Sequence, residues 1–214
     1  MHELAALAGE LHHLAPEKLG DDDERLSLWL NLYNALLLHE MALRPRGGNL
    51  LRHRRLFSDA AYRVGAHTYT LSEIEHGVLR RNRRQPYGFR KPFRRKDPRL
   101  RVLPKALDPR VHFALNCGAR SCPPIRPYTR GHVDQQLEAA AAAYLRAEVE
   151  VDPDEGSVAL PGLMKLYRRD FGDRRDQLRF AAPRLTDQDR AWLGERHGAL
   201  RVRYSRFDWT MVGD

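Results

Sequence analysis

Between residues 22 and 43 the apolar positions recur at helical spacing. Leu26, Trp29, Leu30, Tyr33 and Leu37 share one face, and Leu28, Leu32, Leu36 and Leu38 extend the apolar cover around most of the circumference. The acids at 21–24 suit the start of such a helix, where carboxylates meet the positive end of its dipole. A helix apolar on nearly every side belongs in a core. Asn31 and Asn34 then need internal partners, because an unpaired buried amide is costly.

Elsewhere the pattern is shorter. Residues 1–18 read as a helix. Residues 60–71 read as a hairpin turning at Gly65. A helix over 71–81 follows, in which Ser72 and Glu75 have capping-box spacing. Residues 83–110, rich in Arg and dotted with Pro, read as a long loop, and loops of this length are often functional. Residues 110–116 alternate as a strand, with Val111, Phe113 and Leu115 on one face and His112, Ala114 and Asn116 on the other. An Ala-rich helix over 132–149, a hairpin turning at 153–156, three short helices between 162 and 198 and a last strand over 200–205 complete the chain. No repeat or linker divides it. The pattern predicts a single α+β domain over 1–214, mostly helical, with a small antiparallel sheet and hairpins.

Composition changes this picture in two places. The 214 residues carry a formal charge of +9, and residues 80–110 hold 13 of the 37 basic side chains. Interleaved Tyr87, Phe89 and Phe93 make that segment a candidate for nucleic acid or an anionic surface. Basic residues are spread along the rest of the chain too, so the segment reads as a surface loop, and nucleic acid is the less favoured partner. No apolar run reaches the ~20 residues of a membrane span. The first residues lack a basic start and a cleavage site, which favours a cytoplasmic protein if residue 1 is the native start and an exported one if a signal was trimmed.

The second place is the two cysteines, Cys117 and Cys122, the latter followed by Pro123 and Pro124. They allow one disulfide at most, so this is not a disulfide-built scaffold. A small-loop bridge between the two, masking Cys122, stands beside the free thiol as an alternative, and the sequence leaves the redox state open. A metal set of His112, Cys117, Cys122 and His132 can be written, but the spacing between the cysteines is wider than in tight zinc ribbons, and no metal or cofactor is expected.

Several segments occur together in a fixed order: the helix around Asn31 and Asn34, the hairpin leading to Ile74-Glu75-His76, the stretch 108–125 with its Cys-Pro-Pro, Tyr167-Arg168-Arg169-Asp170-Phe171-Gly172, and the tail at Phe207-Asp208-Trp209. Over residues 22–212 the chain resembles the domain of unknown function 547 family. Its tail has Thr210, Met211 and Val212 where the family pattern has Ser-Leu-Asn. The resemblance implies a fold and a shortlist of residues, centred on Cys122 and His112, and no activity. The segment from His112 to Gly118 is also similar to the His-bearing strand of papain-like and transglutaminase-like thiol enzymes. In those the Cys usually opens a helix, whereas here it follows the His, so a distant relation would need a migrated nucleophile.

The residues support a thiol-dependent hydrolase or acyltransferase. Cys122 lies between Arg120 and Arg126, whose charge favours a thiolate, and the two prolines fix its position. His112 is the expected base, with Glu75 and His76 as a second acid–base or orienting pair. Asn31, Asn34, Asn116 and Arg120 are candidates for binding substrate, although loop pinning suits Asn31 and Asn34 better. Asp170 and Asp208 read as ion-pair or packing anchors. The expected substrate is a small molecule or peptide bearing an anionic group. The alternative is a non-enzymatic module in which the Arg-rich loop docks an anionic partner.

Overall fold

A computed structural model describes residues 2–43, 47–195 and 200–211. Its elements, in chain order, are α1 (His2–Glu10), α2 (Asp22–Leu43), α3 (Leu56–Asp59), β1 (Ala61–Val64), β2 (His67–Thr70), a π-helix (Glu73–Leu79), α4 (Val133–Glu148), β3 (Glu150–Asp152), β4 (Ser157–Leu160), α5 (Gly162–Leu166), α6 (Arg168–Phe171), α7 (Arg174–Ala181), α8 (Asp187–Gly194) and β5 (Arg201–Tyr204). Short 3-10 turns connect them, among them Pro98–Val102 and Pro109–Phe113. This is the expected α+β arrangement, with helix outweighing strand.

α2 is the central helix. Trp29, Leu30 and Leu37 are wholly buried, and Leu32 and Leu36 nearly so, while Leu38 at the far end is half exposed. Full burial of each such side chain contributes about 2 kcal/mol. α2 packs on the π-helix and on α4. A second apolar cluster joins α4, β4, α5 and α7 around Phe113, Tyr144, Leu160 and Met164. The turn 109–113 sits on the seam, with Val111 in the first cluster and Phe113 in the second.

β1 and β2 form the antiparallel hairpin predicted around Gly65. Gly65 has a φ of +58°, and a Cβ there would lie 2.6 Å from the Leu14 carbonyl, so the turn accepts only glycine. β3, β4 and β5 make the second sheet. β4 runs antiparallel to β3 but parallel to β5, so this sheet is mixed.

Two local expectations are corrected. Residues 110–116 are not a strand: Asp108 caps a 3-10 turn, its carboxylate accepting from the Arg110 amide at 2.9 Å, with Pro109 at the first helical position. Asp-Pro is a start signal for a helical turn. Alternation failed as a guide because residues 111–115 are all buried, leaving no polar face to read. The capping box is also displaced. Thr70 accepts from the Glu73 amide and Glu73 accepts from the Thr70 amide, both at 3.1 Å, whereas Ser72 is already helical. Glu75 is therefore free of the helix terminus.

Candidate functional site

A cavity of about 430 Å³ opens at the seam between the two apolar clusters. Its polar lining includes Glu75, His76, His112 and Tyr167, and the Cys117–Cys122 bridge borders it. Leu50, Leu163, Leu166, Phe207 and Trp209 contribute apolar wall. The volume lies in the range of small-molecule sites, roughly 300–1,000 Å³.

The π-helix explains how Glu75 and His76 reach one cavity. In an α-helix, adjacent side chains point about 100° apart, which argues against both facing one site. Here the ladder runs i→i+5, with the Arg80 amide donating to the Glu75 carbonyl and the Asn82 amide to the Gly77 carbonyl, each at 2.8 Å. The wider turn narrows the angle between neighbours, and such turns recur at functional sites. Gly77 lets the ring of Phe93 approach the helix, since a Cβ would lie 2.5 Å from it.

His112 is held from three sides. Its Nε2 lies 2.8 Å from Oδ2 of Asp170, on α6. Its ring stacks on Tyr167, with centroids 3.8 Å apart, and tilts against Phe171. Asp170 is in turn gripped by Arg80, Nε to Oδ2 at 2.5 Å and Nη2 to Oδ1 at 3.1 Å, and by Arg83 Nη1 at 2.9 Å. Arg80 continues to Nδ1 of His76 at 2.9 Å and to the Arg84 carbonyl at 3.0 Å. Glu75 closes the network: Tyr167 donates to its Oε1 at 2.6 Å and Tyr33 to its Oε2 at 3.4 Å.

Two guanidiniums, buried Arg80 and half-exposed Arg83, offset the two carboxylates of this group, Asp170 and Glu75. Arg80 and Asp170 are an almost completely enclosed ion pair. Burial pushes Asp170 up, but hydrogen bonds from His112 and Arg80 outweigh it and hold the carboxyl far below its usual range. Burial also raises Glu75, and the neighbouring His76, the Tyr167 hydroxyl and the more distant cations bring it below its ordinary value. Burial is the main cause of the lowered His112 and of His76, which falls to about 4. Both imidazoles are therefore neutral at neutral pH. A guanidinium only donates, so His76 accepts at Nδ1 and keeps its proton on Nε2. An ionised carboxylate only accepts, so His112 carries its proton on Nε2 and its lone pair on Nδ1.

Cys122 is bonded to Cys117, so of the two redox states open to the pair the structure holds the disulfide, in which Cys122 is not a free thiol. Its sulfur accepts from the Cys117 amide at 3.1 Å. Three asparagines hold this loop through its backbone. Asn34 donates to the Ala114 carbonyl and accepts from the Asn116 amide. Asn116 donates to the Pro123 carbonyl and accepts from the Gly118 amide. Asn31 pairs with both backbone groups of Tyr128. None of the three lines the cavity, and neither does the exposed Arg120. His132 precedes α4 on the surface. Among the described residues no three His, Cys, Asp or Glu are grouped to hold a metal ion.

The structure thus gathers Cys122, His112, Glu75 and His76, which the sequence had nominated on separate grounds. It adds Asp170, Arg80 and Tyr167. Arg80 was signalled only by its place after Ile74, Val78 and Leu79, a charged side chain ending an apolar run. Asp170 had been read as an ion-pair or packing anchor, and it pairs with Arg80 and accepts from His112.

No helix among the described residues is long and apolar enough to cross a membrane. No curated protein and no solved structure matches the chain. Residues 16–145, more than half of the 214, match a family described as protein of unknown function, DUF547. The motifs at Asp170 and Trp209 fall outside the matched stretch, while every other nominated residue falls within it. On that match the chain belongs to the DUF547 family.

Proposed function

We propose that this cavity is the site of a thiol-dependent hydrolase or acyltransferase, latent while Cys122 is bonded to Cys117. The observation that carries the reading is His112, polarised by Asp170 at 2.8 Å, lining the same cavity as Cys122. Reduction by a dithiol would release both cysteines and oxidise the dithiol to its disulfide. The Cys122 thiol would then give its proton to Nδ1 of His112 as the sulfur attacks an acyl carbonyl. Collapse of the adduct would break the bond to the leaving group, which takes the proton back, and leave a thioester. Water or an acceptor nucleophile would resolve it by the reverse transfers. Asp170 would stay ionised, fixing the tautomer that points the lone pair away from itself. Glu75, ionised under two tyrosine hydroxyls, and His76, with a proton on Nε2, supply a second acceptor and donor for orienting the acyl group.

The test is alkylation of the reduced protein by iodoacetamide at neutral pH. Cys122 should react faster than glutathione, and His112→Gln should remove the advantage. A Cys122 that reacts no faster than glutathione would rule the reading out. The alternative, a module docking an anionic partner through residues 80–110, predicts that Cys122→Ser leaves binding intact. That segment keeps exposed cations, although Arg80, Arg99 and Arg110 are taken by internal ion pairs.

A further inference from the structure

Around the mouth of the cavity, apolar and cationic side chains stand exposed together. Tyr87 and Leu51 line the cavity and are 79% and 40% exposed, and Phe89, two residues beyond Tyr87, is 89% exposed. Phe89 buries about a tenth of its surface, so it adds little to the fold while leaving a large ring in water. The loop bearing it is ordered by its own bonds: the Gly88 amide donates to the Gln85 carbonyl, and Gln85 donates to Ser72 on the cavity wall. Arg54 lies on the cavity lining, and Arg90 and Lys91 line an adjoining depression shared with Ser58, Ser72 and Gln85. All three cations are exposed, and none forms an ion pair among the described residues. Glu73, the acid nearest that depression, is held by Arg99.

We infer that this rim is a docking surface for an anionic lipid bilayer. Exposed rings seat at the boundary between headgroups and acyl chains, while flanking Arg and Lys meet anionic headgroups. The inference deepens the reading above and rests on it for one point, the substrate. An amphiphile with an acyl chain would enter the leucine-walled cavity from the bilayer, bringing its carbonyl toward the Cys122 loop while Arg54 holds its anionic group. A polynucleotide could also stack on Tyr87 and Phe89. The bilayer is favoured because the rim continues through Leu51 into walls of Leu50, Leu163 and Leu166, which offer a phosphate backbone nothing.

The experiment is co-sedimentation of the full chain with vesicles of phosphatidylglycerol and phosphatidylcholine in equal parts, against vesicles of phosphatidylcholine alone. The protein should prefer the anionic vesicles and be partly released by salt. The pair Tyr87→Ser and Phe89→Ser should weaken binding about tenfold, and Arg90→Gln or Lys91→Gln about fivefold each. These side chains are exposed, so the variants should fold as the parent does. Equal binding to both vesicles would overturn the inference. So would salt-sensitive binding that the aromatic pair of substitutions leaves unchanged, which is the signature of net charge alone. Tighter binding to oligothymidylate through the same residues would replace the bilayer by nucleic acid. Cys122→Ser should bind vesicles as the parent does, so a thiol that proves unreactive sinks the acyl-transfer reading without touching this result.

Discussion

Nε2 of His112 lies 2.8 Å from Oδ2 of Asp170, and both side chains are closed to solvent. Asp170 also takes two bonds from Arg80, so one carboxylate orients an imidazole and neutralises a buried guanidinium. Removing it leaves Arg80 charged and unpaired. Asp170→Asn should destabilise the fold by about 3–5 kcal/mol in urea unfolding. Adding Arg80→Met should recover part of that loss, and a double variant no more stable than Asp170→Asn would show that the pair is not the source of the cost.

Acid should weaken the protein in two steps of the same sign. His76 titrates near 4 in the fold, against an ordinary 6.5, and His112 is lowered too. Between those values the unfolded chain binds the extra proton, so stability is complete above pH 6.5 and falls as pH drops toward 4. The slope from one such histidine is about 1.4 kcal/mol per pH unit. Below the ordinary 3.8 of an aspartate, protonation of the unfolded chain removes the contribution of Asp170. His76→Gln, whose amide oxygen can still accept from Arg80, should flatten the stability curve between pH 6.5 and 4. A curve unchanged by the substitution would contradict the buried neutral imidazole.

Asn34 joins α2 to the loop that carries both cysteines, through the Ala114 carbonyl and the Asn116 amide. Asn34→Ala strands both backbone groups and should cost about 2–4 kcal/mol. The amide of residue 116 should then exchange with deuterium much faster, while amides on β4 keep their relative protection.

Gly77 faces Phe93 across a gap that has no room for a methyl group. Gly77→Ala should destabilise by about 1–3 kcal/mol through overpacking. Phe93→Leu in the same chain should relieve part of it, and additive losses in thermal unfolding would place the strain elsewhere.

Much of this architecture is written locally. The periodicity of 22–43 specifies α2, Gly65 specifies the first hairpin, and the Cys-Pro-Pro segment marks the loop at the cavity. The buried group at its floor is different. Glu75 looked like a capping residue because Ser72 stands three positions before it, but the hairpin ends at Thr70 and moves the box to Glu73. His112 looked like a strand residue because alternation is indistinguishable from a helical turn when every side chain around it is buried.

Spacing, turn residues and side-chain type act over a few positions, so sequence alone was enough for α2, the hairpin at Gly65 and a shortlist of candidate site residues. It took the three-dimensional packing to bond the cysteines to each other, to turn Glu75 and His76 toward one cavity through a π-turn, and to bring Asp170 to His112. Those outcomes depend on which elements enclose a charge together. A buried carboxylate takes the donors that packing brings to it, and no local pattern states which those will be.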